Sequence, residues 1–188
     1  MFGCQYVGDV SGMKDHLRKC TFVEKYKKIK CQDILCKKEV PMREMVQHMK
    51  DVHKSLEETA DSSGKIMSVG RFAEAFIVNE ATWPPRICSY NNQTFFLHAN
   101  LYEKVWTFWV SALGNKDEAK KYEVELRIPK TEGHNFDMGY RGKVFSSDEH
   151  VLSVVNDRDN VLRLDNNLAE VREDGSFKFT VDYQIICE

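Results

Sequence analysis

The sequence predicts a small Cys/His-rich module followed by an all-β antiparallel sandwich. Three observations carry this expectation. Four of the six cysteines fall within the first 36 residues, interleaved with histidines. The charge balance changes sign near residue 55: the first 55 residues hold 12 Lys+Arg against 7 Asp+Glu, the remainder 15 against 22. Beyond that break, apolar residues alternate with polar ones, the period-2 pattern of half-buried strands. The expected boundaries are a module over residues 1–55, a polar linker over 56–69 and a sandwich over 70–188.

Whole-chain classes narrow quickly. At 188 residues and 42% hydrophobic, the chain can bury a sizeable core, which excludes disorder, collagen and coiled coil. No apolar run reaches the roughly 20 residues of a membrane-spanning helix. The N-terminus MFGCQYVGDV has no basic segment leading an apolar one, so no signal peptide is expected. Cysteines interleaved with histidines in a chain without a secretory signal suit zinc in a reducing compartment, cytoplasmic or nuclear, rather than disulfides.

The strongest motif is Cys31-x4-Cys36-x11-His48-x4-His53. Zinc takes four soft or borderline donors in a tetrahedron, and two thiolates with two imidazoles form a closed structural set. Met42, Met45, Val46, Met49 and Val52 recur at helical spacing, so a helix should carry His48 to the thiolates. His53 lies five residues on, off the face of an ideal helix, and the last turn must tighten or open to bring it in.

An earlier motif, the first along the chain, Cys4-x11-His16-x3-Cys20, repeats the 11-residue gap. His16 and Cys20 share one face of a short helix over Met13–Lys19. The repetition predicts tandem modules. Only three ligands are present, so the fourth position of this zinc is expected to fall to a ligand missing from the chain or to water. A catalytic zinc with an open position is the alternative, but so small a module lacks walls for a substrate pocket. A Cys36→Ser change is expected to unfold its own module and spare the sandwich.

Lys25, Lys27, Lys28, Lys30, Lys37 and Lys38 make the join between the modules basic. Lysines neutralise phosphate, but these also balance metal-bound thiolates on a solvated loop. Nucleic-acid binding is therefore the weaker expectation.

In residues 65–188, KKYEVELRIPK and SFKFTVDYQII alternate cleanly. TFFLHAN, KVWTFWVSA, FDMGYRGKVF, HVLSVV and VLRL supply further strands. The strand Lys104–Ala112 is apolar on both faces: Trp106, Phe108 and Val110 point one way, Val105, Thr107 and Trp109 the other. Its outer face needs either a local cover or a second copy, which makes Trp106, Phe108 and Trp109 dimer candidates. No catalytic constellation is present; His98, His134 and His150 are scattered, and Cys88 and Cys187 read as free thiols. Trp83-Pro84-Pro85 belongs at a sheet edge or in a loop, because proline cannot donate to a ladder. Trp83 there offers an apolar anchor for an extended partner peptide, or else packs on the core beneath.

Taken together, the chain resembles the seven-in-absentia (Siah) family of ubiquitin ligases. Cys31-x4-Cys36-x11-His48-x4-His53 with the following Lys54-Ser55 is similar to that family's second finger. Gly3-Cys4 with x11-His16-x3-Cys20 is similar to the later three ligands of its first. The likeness continues diffusely through TFFLHANLYEK, AKKYEVELRI and GSFKFTVDYQIIC. It implies two zinc fingers and a TRAF-like, dimerising sandwich that captures degron peptides or adaptors, with Trp83 beside the degron groove. The family's E2-recruiting RING has no counterpart among these residues, so the chain resembles the substrate-recognition part of a ligase, or a RING-less adaptor of the same fold. No membrane partner is expected.

Overall fold

The computed structural model describes residues 4, 6–20, 23, 27–72, 80–129, 137–149, 151–165, 170–171 and 177–187. Among them the chain is mostly β-sheet with few helices. The Cys/His module contains α1 (Val10–Lys19), the hairpin β1 (Lys28–Lys30) and β2 (Glu39–Pro41), a 3-10 turn and α2 (Met45–His53). Asp9 starts α1 by accepting from the Gly12 N–H at 2.8 Å, an ordinary N-cap, so the helix begins earlier than its apolar spacing indicates.

Two sheets follow. In the first, the order is β10 (Phe145–Ser146), β7 (Val105–Ala112), β6 (Gln93–Tyr102), β5 (Glu80–Tyr90), β3 (Glu57–Thr59), with β11 (Leu162–Asp165) also on β7. The second is centred on β13 (Phe177–Cys187), flanked by β4 (Lys65–Phe72), β8 (Tyr122–Ile128) and β12 (Glu170–Val171), with β9 (Met138–Lys143) beyond β8. The pairings are antiparallel except β3 with β5 and β10 with β7, both parallel. Leu97, Leu101, Trp106, Phe108 and Val110 of the first sheet meet Val124, Leu126, Val181, Tyr183 and Ile185 of the second in one buried cluster.

Three sequence expectations change. The stretch 56–69 is not a free linker: it supplies β3 and most of β4, each tied into a different sheet. HVLSVV is not a strand; Val151–Asn156 forms helix α3. Short apolar runs do not distinguish helix from strand by periodicity, and here the chain must reverse between β10 and β11, which share one edge of β7. Finally, the dimer candidates are interior. Trp106 and Phe108 are wholly buried in the core between the sheets. Trp109, on the outer face, is covered by Phe145, Val154 and Val161. The cover is local, so this strand supplies no surface for a second copy.

The same outer face seats the Cys/His module. Ile29, Val40, Met42, Met45 and Met49 form one buried cluster with Ile87 of β5 and Phe96 of β6. Burying a side chain of that size contributes about 1.5–3 kcal/mol, so module and first sheet stabilise each other.

Candidate metal centres

The motif Cys31-x4-Cys36-x11-His48-x4-His53, the second along the chain, closes as its spacing predicts. The donor atoms of Cys31, Cys36, His48 and His53 all lie within 4.8 Å of one another. The β1–β2 hairpin presents the cysteines, and α2 brings the histidines across. The end of α2 opens as required: the Met49 carbonyl accepts from the N–H groups of Lys54, five residues on, and Ser55, six on. Lys54 takes left-handed backbone at φ 54° to make that turn.

The distances fit a tetrahedral ion. Zinc bonds of about 2.05 Å to nitrogen and 2.3 Å to sulfur place two nitrogens about 3.3 Å apart, and nitrogen and sulfur about 3.6 Å apart. His48 Nε2 and His53 Nε2 are 3.3 Å apart; Cys31 Sγ to His53 Nε2 is 3.3 Å, and Cys36 Sγ to His48 Nε2 is 3.8 Å. Four protein donors leave no open position, the arrangement of a structural site. Burial pushes the Cys31 thiol up to about 12, so its thiolate needs a cation beside it. Burial, and then the charge of His53, lowers the pKa of His48, favouring the neutral imidazole that a metal requires.

Asp33 organises this set, and no spacing rule pointed to it. Its carboxylate Oδ2 lies 3.2 Å from His53 Nδ1, which fixes Nε2 toward the metal position. Its Oδ1 accepts from the Leu35 N–H at 2.9 Å, and its own N–H donates to Cys31 Sγ at 3.5 Å. Two residues after Cys31, it serves ligand, turn and second ligand at once. Beside it, buried Gln32 donates to the Ser147 carbonyl at 3.2 Å and accepts from Ser111 Oγ at 3.1 Å. Ser111 has then given its only proton, so it accepts from His98 Nε2 at 2.9 Å. His98 is stacked on Trp109, 4.6 Å between centroids, and burial lowers its pKa to about 3. The scattered His98 is thus a packed residue that ties the module to the sheet. His134 and His150 lie outside the described residues.

The first motif gathers three donors: Cys4, His16 and Cys20. Cys4 Sγ is 2.9 Å from His16 Nε2 and 3.4 Å from Cys20 Sγ. Cys4 is exposed, whereas Cys20 is buried. Tyr6, another residue the spacing did not flag, stacks on the His16 ring at 4.0 Å and 12°. The glycines beneath it make room: a Cβ on Gly8 or Gly12 would collide with the Tyr6 hydroxyl. Val7, Val10, Met13 and Leu17 are exposed around this centre.

Of the basic residues, Lys27, Lys28, Lys30, Lys37 and Lys38 are exposed, and Lys27 pairs with Asp148 at 2.6 Å; Lys25 lies outside the described residues. Cys88 is fully buried, and burial pushes its thiol up to about 12, while Cys187 is exposed.

Trp83 sits in β5 where the register with β6 slips: Trp83 faces Ala99 and Arg86 faces Leu97, so Pro84-Pro85 forms a bulge. Its partly buried ring packs on the core, and the Arg86 guanidinium lies 4.8 Å over it. Arg86 is held by Glu58 of β3 at 2.8 Å. β3 pairs with β5 only from Ile87 onward. Among the described residues, no strand pairs with Glu80–Arg86 on the side away from β6.

No protein-family model matches the chain, and no curated protein matches it. No helix among the described residues is long and apolar enough to cross a membrane.

Proposed function

We propose that this chain is a protein-recognition region of the seven-in-absentia type: two zinc fingers, the second packed on a TRAF-like sandwich that captures an extended peptide or adaptor for a ubiquitin ligase. The observation that carries the reading is the β5 segment Glu80–Arg86. It pairs with β6 on one side, and its other side carries no strand among the described residues. An added peptide strand would gain main-chain hydrogen bonds along Glu80–Thr82, since Pro84 and Pro85 have no N–H to offer. Trp83, held on the core and capped by Arg86, supplies a rigid apolar contact beside that edge. The wider assignment to ubiquitin ligation rests on finger spacing. Zinc is the proposed ion in both centres because two thiolates with imidazole suit it.

The six cysteines are divided as four donors in the two centres plus Cys88 and Cys187. In this reading, E2 recruitment falls to a separate RING, whether on the same polypeptide or on a partner that uses this chain as an adaptor. Dimerisation stays within the proposal on the resemblance alone, using residues other than Trp106, Phe108 and Trp109; sedimentation velocity tests it. Lys27 already pairs with Asp148, and lysines beside metal-bound thiolates balance their charge, which makes phosphate binding the weaker reading. A nucleic-acid titration in rising salt tests that one, since phosphate contacts weaken steeply with salt.

The direct test is selection of peptides from a displayed library on the zinc-replete chain. Enrichment of extended peptides whose binding is lost in Trp83→Ala, at unchanged melting temperature, supports the reading. A fused RING should then drive ubiquitin onto a protein carrying that peptide. No enrichment, or equal binding by the variant, contradicts it.

A further inference from the structure

We propose that Cys4 and Cys20 are a peroxide-sensitive pair, oxidised to a disulfide with release of the metal from the first centre while the second centre keeps its own. The inference rests on zinc filling the first centre. Three features of that centre converge. Cys4 is exposed, whereas Cys31 is 3% exposed. The two sulfurs are 3.4 Å apart, and closing to a bond needs an approach to about 2.05 Å. Among the described residues three donors gather here, against four at the second centre.

The chemistry balances with a peroxide as oxidant. The Cys4 sulfur attacks one peroxide oxygen and the O–O bond breaks. This leaves a Cys4 sulfenic acid and a hydroxide that solvent protonates to water. The Cys20 sulfur then attacks the sulfenic sulfur; the S–S bond forms, the S–O bond breaks, and the departing hydroxide also becomes water. Two electrons pass from the sulfurs to the peroxide. Of the three described donors only His16 then remains, too few to hold the ion. Cys20, only 8% exposed, is sheltered from the peroxide and acts second. At the second centre, Cys31 is buried beneath the module, receives the Asp33 N–H, and shares its ion with three further donors. Cys36 is half-buried there, so retention of that zinc rests on its four donors and on the buried Cys31.

The test uses the full zinc-loaded chain treated with graded hydrogen peroxide. Released zinc is read with a chromophoric chelator, retained zinc by native mass spectrometry, and thiols by alkylation before and after reduction. The expected result is loss of one of two zinc equivalents, a Cys4–Cys20 disulfide peptide, and Cys31 and Cys36 still alkylated as free thiols. Reductant plus zinc should restore the second equivalent. In Cys20→Ser, dimedone should trap a sulfenic acid at Cys4; this adduct is read on the peptide, whether or not that variant holds its first finger folded. Release of both ions together, first oxidation at Cys31 or Cys36, or retention of both ions overturns the proposal. A starting preparation with a single zinc, at the second centre, overturns the metal reading of the first and is told apart by the count before peroxide is added.

Discussion

The two Cys/His centres share an 11-residue gap between a cysteine and a histidine, yet they stand in different relations to the fold. The second is joined to the first sheet by a shared apolar cluster containing Ile87 and Phe96, and by the buried run His98–Ser111–Gln32–Ser147. The first presents an exposed cysteine, three donors and a helix whose Val10, Met13 and Leu17 face solvent. Ligand spacing sets whether an ion can be held. What packs behind the ligands sets whether its loss reaches the rest of the molecule.

The largest expected contrast is between ligand substitutions at the two centres. Structural zinc sites carry binding free energy on the order of 10 kcal/mol that is coupled to folding. Cys36→Ser should therefore lower the melting temperature of the whole chain, because Ile87 and Phe96 lose their cover. This reverses the expectation from sequence that the sandwich would be spared. Cys20→Ser should leave the main thermal transition unchanged. Calorimetry of both variants with zinc present checks the pair; equal effects would dissolve the distinction.

Next, Phe96→Ala removes a fully buried ring at the junction. It should cost about 3–5 kcal/mol. It should also weaken zinc at the second centre without changing the first, as chelator competition would show.

Asp33→Asn keeps a group that can accept from the Leu35 N–H but removes the charge facing His53. Loss of such a supporting carboxylate typically weakens metal affinity 10–100-fold. Zinc competition should show that loss at the second centre alone, and an unchanged affinity would remove Asp33 from its role.

The smallest contrast is in pH. His98 titrates near 3 in the fold, below its ordinary 6.5. A depressed folded pKa means the unfolded chain binds the proton first as pH falls. The stabilisation is complete above 6.5 and is lost progressively toward 3. At pH 5 the loss from this residue should reach about 2 kcal/mol. Comparing denaturant midpoints of the native chain and His98→Gln across that window isolates it from ligand protonation, which is common to both.

Much of this was legible because it is local. The four ligands of the second centre sit on a hairpin and one helix, so spacing alone brought them together. Alternation marked β8 and β13, whose outer faces meet solvent. The remainder depends on distant pairing. Residues 56–69 look like a linker because Glu57–Thr59 is polar, yet β3 is held by parallel hydrogen bonding to β5. The cover over Trp109 comes from Phe145, Val154 and Val161, and Val154 lies on a helix in a run that alternation mistook for a strand. Asp33 and Tyr6 escaped notice because supporting residues obey no ligand spacing.

Hydrogen exchange tests the central claim, that the second finger and the first sheet unfold as one unit. Amide protection should be compared in the zinc-loaded chain and in Cys36→Ser. The account predicts that protection falls together across β1, β2, α2 and the stretches around Ile87 and Phe96. Loss confined to β1, β2 and α2, with β5 and β6 as protected as before, would contradict it.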